Sequence, residues 1–209
     1  MVSLDIISKF ALASLLLLAT PGPDFLAMLG RGISQGRQAA ILAVMGYALG
    51  DFVHTIFAVV GLSAIIQSSA IAFQTVKYLG ALYLIYLGIQ AIRNKHQFRI
   101  VSENERIETA TILRQSIISS ILNPKTALFF LAFLPQFVDV NAGNIQFQTL
   151  ILGIVFMLLG MLTYFPVAYF SGVVGRWIQA RRAIVSRIRW VTGSIFIGLG
   201  LRAALQKSS

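Results

Sequence analysis

The chain has 209 residues, 57% of them hydrophobic and 11% charged, against roughly 25% charge in an ordinary soluble domain, and this composition excludes a soluble globular protein. Its net charge of +10 would suit a nucleic-acid partner, but the basic residues fall in short connections between apolar runs, so no soluble module exists to carry a basic face. Zero cysteines and two histidines leave no disulfide, no thiolate metal site and no dedicated transition-metal site, so neither metal nor cofactor is expected.

Six apolar stretches, near 5–30, 39–66, 71–92, 112–138, 148–174 and 188–205, each reach the roughly 20 residues that cross a bilayer. In the first, Lys9 and the apolar run to Ala19 resemble a signal peptide. Asp5, Pro21, Pro23 and a counterpart in the second half argue for a retained span instead. The run Thr20-Pro21-Gly22-Pro23-Asp24 interrupts this span. Gly22 stands where a helix N-cap belongs, and Pro23 at the first helical position, where a missing N–H costs nothing. Asp24 then falls where the helix dipole favours an anion.

The second stretch carries Asp51 near its middle, about 14 residues from Arg37 and 15 from Ile66. A carboxylate at that depth costs several kcal/mol unless paired, protonated or wet, which marks it as a functional candidate. Tyr47, His54, Thr55 and Ala58 share its face at spacings of three and four, so Tyr47, Asp51 and His54 form a candidate proton path. Gly46 and Gly50 form a small-xxx-small pattern, the usual sign of close helix packing. After the third stretch, the connector at about 93–111, running on to Arg114, mixes Arg93, Lys95, His96, Arg99 and Arg106 with Glu103, Glu105 and Glu108 and reads as a solvated cytoplasmic link.

The fourth stretch is interrupted in the manner of the first, by Leu122-Asn123-Pro124-Lys125-Thr126. Asn123 takes the N-cap place, Pro124 the first helical position, and Lys125 the place of Asp24. A helix that stops and restarts inside a membrane is tolerated only where its freed backbone groups face protein or a polar cavity, which is where transporters bind substrate. Gly22, Pro23, Asp24, Asn123, Pro124, Lys125 and Thr126 are therefore the candidate substrate site, with Asp24 and Lys125 expected to pair near mid-membrane. In the fifth stretch Tyr164 takes the place of Asp51, and Pro166 is expected to kink the helix. The run Arg176 to Arg189, flanked by Trp177 and Trp190, reads as an interfacial anchor.

Of the 17 Lys and Arg, twelve fall in connections on one side of the six spans and four on the other, with Lys125 inside a span. The positive-inside rule then places both termini outside. The second half also repeats the first. Pro23 meets Pro124 at an offset of 101, while Gly80 meets Gly193 and Tyr83 meets Phe196 at an offset of 113, the insertion of 12 falling in the stretch that contains Pro135, Asp139, Asn141, Gly143 and Asn144. Three spans per repeat force the halves to insert in opposite orientations. The expected fold is an all-α membrane protein, a single domain over 1–209, of six transmembrane helices in two inverted three-helix repeats at about 1–92 and 112–209, with helices 1 and 4 broken.

The runs Ala19 to Pro23, Gly46 to Asp51, Lys77 to Gly88 and Leu122 to Lys125, in this order and spacing, resemble the LysE/RhtB family of bacterial amino-acid exporters, the homoserine, threonine and leucine branch more than the exporters of basic amino acids. The resemblance covers essentially the whole chain. It implies a non-enzymatic inner-membrane carrier that exports amino acids by proton antiport, with amino acid, protons and lipid as partners and an oligomer left open. In that reading Asp24 or Asp51 holds the substrate ammonium and Asp51 exchanges the proton. Export of another small solute or of a cation, or a scaffold without transport, are the alternatives.

Overall fold

The computed structural model describes residues 2–68, 70–93, 108–139, 142–179 and 182–205. Most of the connector that the sequence suggests is cytoplasmic, 94–107, and the C-terminal residues 206–209 lie outside them. No strand occurs among the described residues. The helices are α1 (Leu4–Ala19), α2 (Pro23–Ser34), α3 (Arg37–Ser68), α4 (Ala70–Arg93), α5 (Thr109–Ile121), α6 (Pro124–Leu128), α7 (Ile145–Tyr169), α8 (Ser171–Gln179) and α9 (Arg182–Leu205). The connector therefore ends by Glu108, a little earlier than the sequence suggested, and the fifth apolar stretch divides at Phe170 into α7 and α8.

Both expected interruptions are present. α1 and α2 meet at 52°, and α5 meets the Pro124–Phe137 segment at 41°. After α6 the backbone widens into a π-helical turn at Phe129–Phe133 and then tightens into a 3-10 turn at Leu134–Phe137. By length and composition α3, over Arg37–Gly61, and α7 are each able to cross a membrane, and counting each bent pair as one span brings the number to four. The polarity of the fold is inverted relative to a soluble protein. Phe57, Val60, Leu82 and Leu162 are exposed, while Asp24, Asp51, His54, Asn123 and Lys125 are buried, the distribution that a lipid solvent selects.

Small residues set the helix spacing. A Cβ on Gly46 or Gly50 would stand 2.5 or 2.4 Å from the Cβ of Ser116 or Ser120, so the pattern read from the sequence is the seam between α3 and α5. α4 and α9 meet equally closely, a Cβ on Gly193 falling 2.6 Å from the carbonyl oxygen of Gly88. Between these seams an aromatic cluster ties α1 to the π-turn and α7. Phe129 lies 5.7 Å from Phe10, 5.1 Å from Phe133 and 4.9 Å from Phe156 between ring centroids.

The basic run from Arg176 to Arg189, expected as an interfacial anchor, falls in α8 and the start of α9. Trp177 and Trp190 are exposed. Arg189, however, folds back onto α4, donating from Nε to the Ala91 carbonyl at 3.3 Å and from its guanidinium to Ile92. The last carbonyls of a helix have no partner within it and carry the negative dipole end, so they compete successfully with headgroups for this cation.

Candidate functional site

The two interruptions lie against each other and are built differently. At the start of α2, Gly22 is extended (φ −119°, ψ −174°) and provides no side-chain cap, which leaves the first-turn N–H groups without one. At the start of α6, the Asn123 side-chain oxygen accepts from the Lys125 N–H at 3.0 Å. A short polar chain joins them. Asp24 accepts from the Ser119 hydroxyl at 2.7 Å through one oxygen and from the Asn123 side-chain amide through the other. Asp24 therefore does not cap its own helix; it ties α2 to α5 and to the second break.

Asp24 and Lys125 do not form the direct pair expected from the sequence. Among the described residues the one ion pair is Lys9 with Asp5, at 2.6 Å on the surface. Asn123 stands between the carboxylate and α6, serving both with the two ends of one amide. The Lys125 ammonium instead donates to the Thr20 carbonyl at 2.7 Å and lies 5.7 Å from the centroid of the Phe196 ring. Gly22 makes this possible, because a Cβ there would stand 3.1 Å from Lys125 Cδ.

The stripe on α3 is buried as a whole, from Tyr47 through Asp51, His54 and Thr55 to Ala58. Asp51 accepts from the Ser120 hydroxyl at 3.2 Å, and that hydroxyl also lies 3.3 Å from the Tyr47 carbonyl. His54 stays off the carboxylate. Its Nε2 bonds the Ser120 carbonyl at 3.0 Å and its ring stacks on Phe130 at 5.6 Å. Ser119 and Ser120, which hold the two carboxylates, carry no signal in the sequence beyond small polar residues at α5's inner face.

Two cavities flank the breaks. The larger, about 300 Å³, is lined by Gly22, Asn123 and Lys125 together with α4 (Tyr83, Tyr86, Gln90) and α9 (Thr192, Phe196). The smaller, about 20 Å³, is lined by Asp24, Asp51, Tyr47, Thr126 and Tyr164 among others, and Gly22, Asn123 and Lys125 reach it as well. A space of that size holds a single water. Every candidate from the sequence except His54 lines one of the two cavities. The wall formed by α4 and α9 was missed as a site. Its signal was the offset of 113, which matches Tyr83 with Phe196, both of which face the larger cavity.

Comparison with known proteins agrees over nearly the whole length. The chain matches the family described as LysE type translocator over residues 15–207. It is 32% identical over 197 residues to a protein named leucine efflux protein from Enterobacter sp. (strain 638), covering 93% of each chain. An uncharacterized membrane protein, YrhP, of Bacillus subtilis (strain 168) is 32% identical over 194 residues, 88% of this chain and 91% of its own. One from Vibrio cholerae is 28% identical over 199 residues, 95% of this chain and 96% of its own. No solved structure matches.

Proposed function

The chain belongs to the LysE type translocator family, and we propose that within it this multi-pass membrane protein exports neutral amino acids across the bacterial inner membrane by proton antiport. The observation that carries this reading is the pair of helix breaks, which meet between a 300 Å³ cavity holding a buried cation and a water-sized space holding two carboxylates. The name of the Enterobacter relative points to an amino acid of leucine's kind.

In this proposal α4 and α9, 24 residues each and about 36 Å long by helix rise, complete six spans in two inverted repeats with both termini outside. The packing supports such symmetry. α1 packs on α7 as α5 packs on α3, and α4 packs on α9. The substrate occupies the larger cavity, its carboxylate toward Lys125 and the uncapped start of α2, where free N–H groups and the dipole favour an anion. Asp51 exchanges the proton through the smaller space, beside Tyr47 and Tyr164. His54 supports it at one remove, through Ser120.

Proteoliposomes loaded with labelled leucine and given a pH gradient test the reading. Wild-type protein is expected to move leucine in response to the gradient, and Asp51→Asn to insert and fold but lose that response, because an amide of the same volume exchanges no proton. His54→Gln should show a smaller effect. Equal gradient-driven leucine movement by wild type and Asp51→Asn would remove Asp51 from the coupling, and no movement by wild type would end the leucine reading.

A further inference from the structure

Among the described residues the larger cavity is lined by one cation and by no Asp or Glu, and both intramembrane carboxylates face the smaller space on the other side of Gly22, Asn123 and Lys125. Lys125 reaches the cavity with no carboxylate within ion-pairing distance and one hydrogen bond, to Thr20, out of the three its ammonium is able to donate. A buried ammonium without a direct ion pair is unfavourable in a lipid-surrounded bundle, and an anionic ligand relieves it. A second group waits in the same place. The Thr192 hydroxyl is buried, at 2% exposure of the residue, and has no hydrogen-bond partner, a condition that a ligand's polar atom would repair.

Resting on the exporter reading, we propose that this cavity recognises its ligand as a carboxylate bearing an apolar side chain and does not read the α-ammonium by charge, so that 2-hydroxy acids belong to its ligand class beside amino acids. The carboxylate pairs with Lys125 and takes the Thr192 hydroxyl. The side chain lies against Tyr83, Leu87 and Phe196. The α-substituent meets only neutral acceptors and ring faces, the Gln90 amide, the phenols of Tyr83 and Tyr86, and their rings. These serve an ammonium or a hydroxyl with comparable hydrogen bonds. Arg189 binds the carbonyl of Ala91, itself a lining residue, and so adds positive charge beside the cavity. Cationic ligands without a carboxylate meet only like charge.

Binding of L-leucine, (S)-2-hydroxy-4-methylpentanoate and L-leucinamide to the purified full chain in detergent, read by calorimetry, tests this. The two acids should bind within about tenfold of each other, the range of one neutral hydrogen bond, and leucinamide at least about 100-fold more weakly, the loss expected when a buried charge loses its partner. Lys125→Met should abolish binding of both acids. Thr192→Val should weaken both by about tenfold while Thr192→Ser preserves it, and this pair keeps the test decisive where Lys125→Met fails to insert. Leucinamide binding as tightly as leucine, or exclusion of the hydroxy acid, would overturn the proposal and leave leucine export in liposomes untouched. Binding of both acids without leucine movement would instead overturn export and leave the ligand class standing.

Discussion

The two helix breaks share a sequence plan and differ in what they do with it. At the second, Asn123 closes the start of α6 with its own side chain and at the same time donates to Asp24. At the first, Gly22 leaves the start of α2 open, and its missing side chain makes room for Lys125. One break is a structural joint and the other a free surface. The difference lies in one atom group, an amide with two ends against a hydrogen. A pseudo-symmetric pair of sites thus becomes chemically asymmetric, the cation shared between the two cavities and the carboxylates lining the smaller alone.

The sharpest way to break this comparison is to change the two N-cap residues separately. Asn123→Ala removes a helix cap and a buried donor to a carboxylate together, and should cost about 2–4 kcal/mol in unfolding experiments in mixed micelles. Gly22→Ala should change stability by under about 1 kcal/mol, because the backbone there is extended and strains no Cβ. Its cost should fall on ligand affinity, by up to about tenfold, since the new methyl crowds the Lys125 stem and shifts the ammonium that would meet the ligand. Comparable stability losses at both positions would mean that the breaks are equivalent joints.

A smaller effect sharpens the role of Asn123 as intermediary. A double-mutant cycle between Asp24→Asn and Asn123→Ala should show a coupling of about 1–2 kcal/mol, because the two groups share a buried hydrogen bond. The cycle between Asp24→Asn and Lys125→Gln should show a smaller coupling, because these two meet only through Asn123 and not in a direct bond. A larger coupling in the second cycle would restore the direct pair that the sequence suggests.

The smallest effects belong to the prolines. Pro23 and Pro124 stand at first helical positions, where no intrahelical N–H bond exists to regain. Pro23→Ala and Pro124→Ala should each lower stability by about 0.5–1 kcal/mol through unfolded-chain entropy, with leucine transport rates within about twofold of wild type. A prolonged α1–α2 helix in Pro23→Ala, seen as lost transport, would show that proline rather than Gly22 holds the first break open.

The sequence by itself determined where the chain breaks, which residues are polar inside the membrane and which helix faces they occupy. Those properties are local. Gly22, Pro23, Asn123 and Pro124 act within one helical turn, and the Tyr47, Asp51, His54 face follows from the helical period alone. The same period found the Gly46 and Gly50 seam, although not its partner, since spacing on α3 says nothing of Ser116 and Ser120 across the gap. Only the tertiary structure decided which polar groups touch. Hydrogen bonds extend about 3 Å, and whether Lys125 meets Asp24 or the Thr20 carbonyl depends on how α1, α2, α5 and α6 converge from residues about a hundred positions apart. It likewise drew Tyr83, Gln90 and Thr192 into the larger cavity's wall, because a cavity is enclosed by elements distant in the chain and no single segment carries its outline.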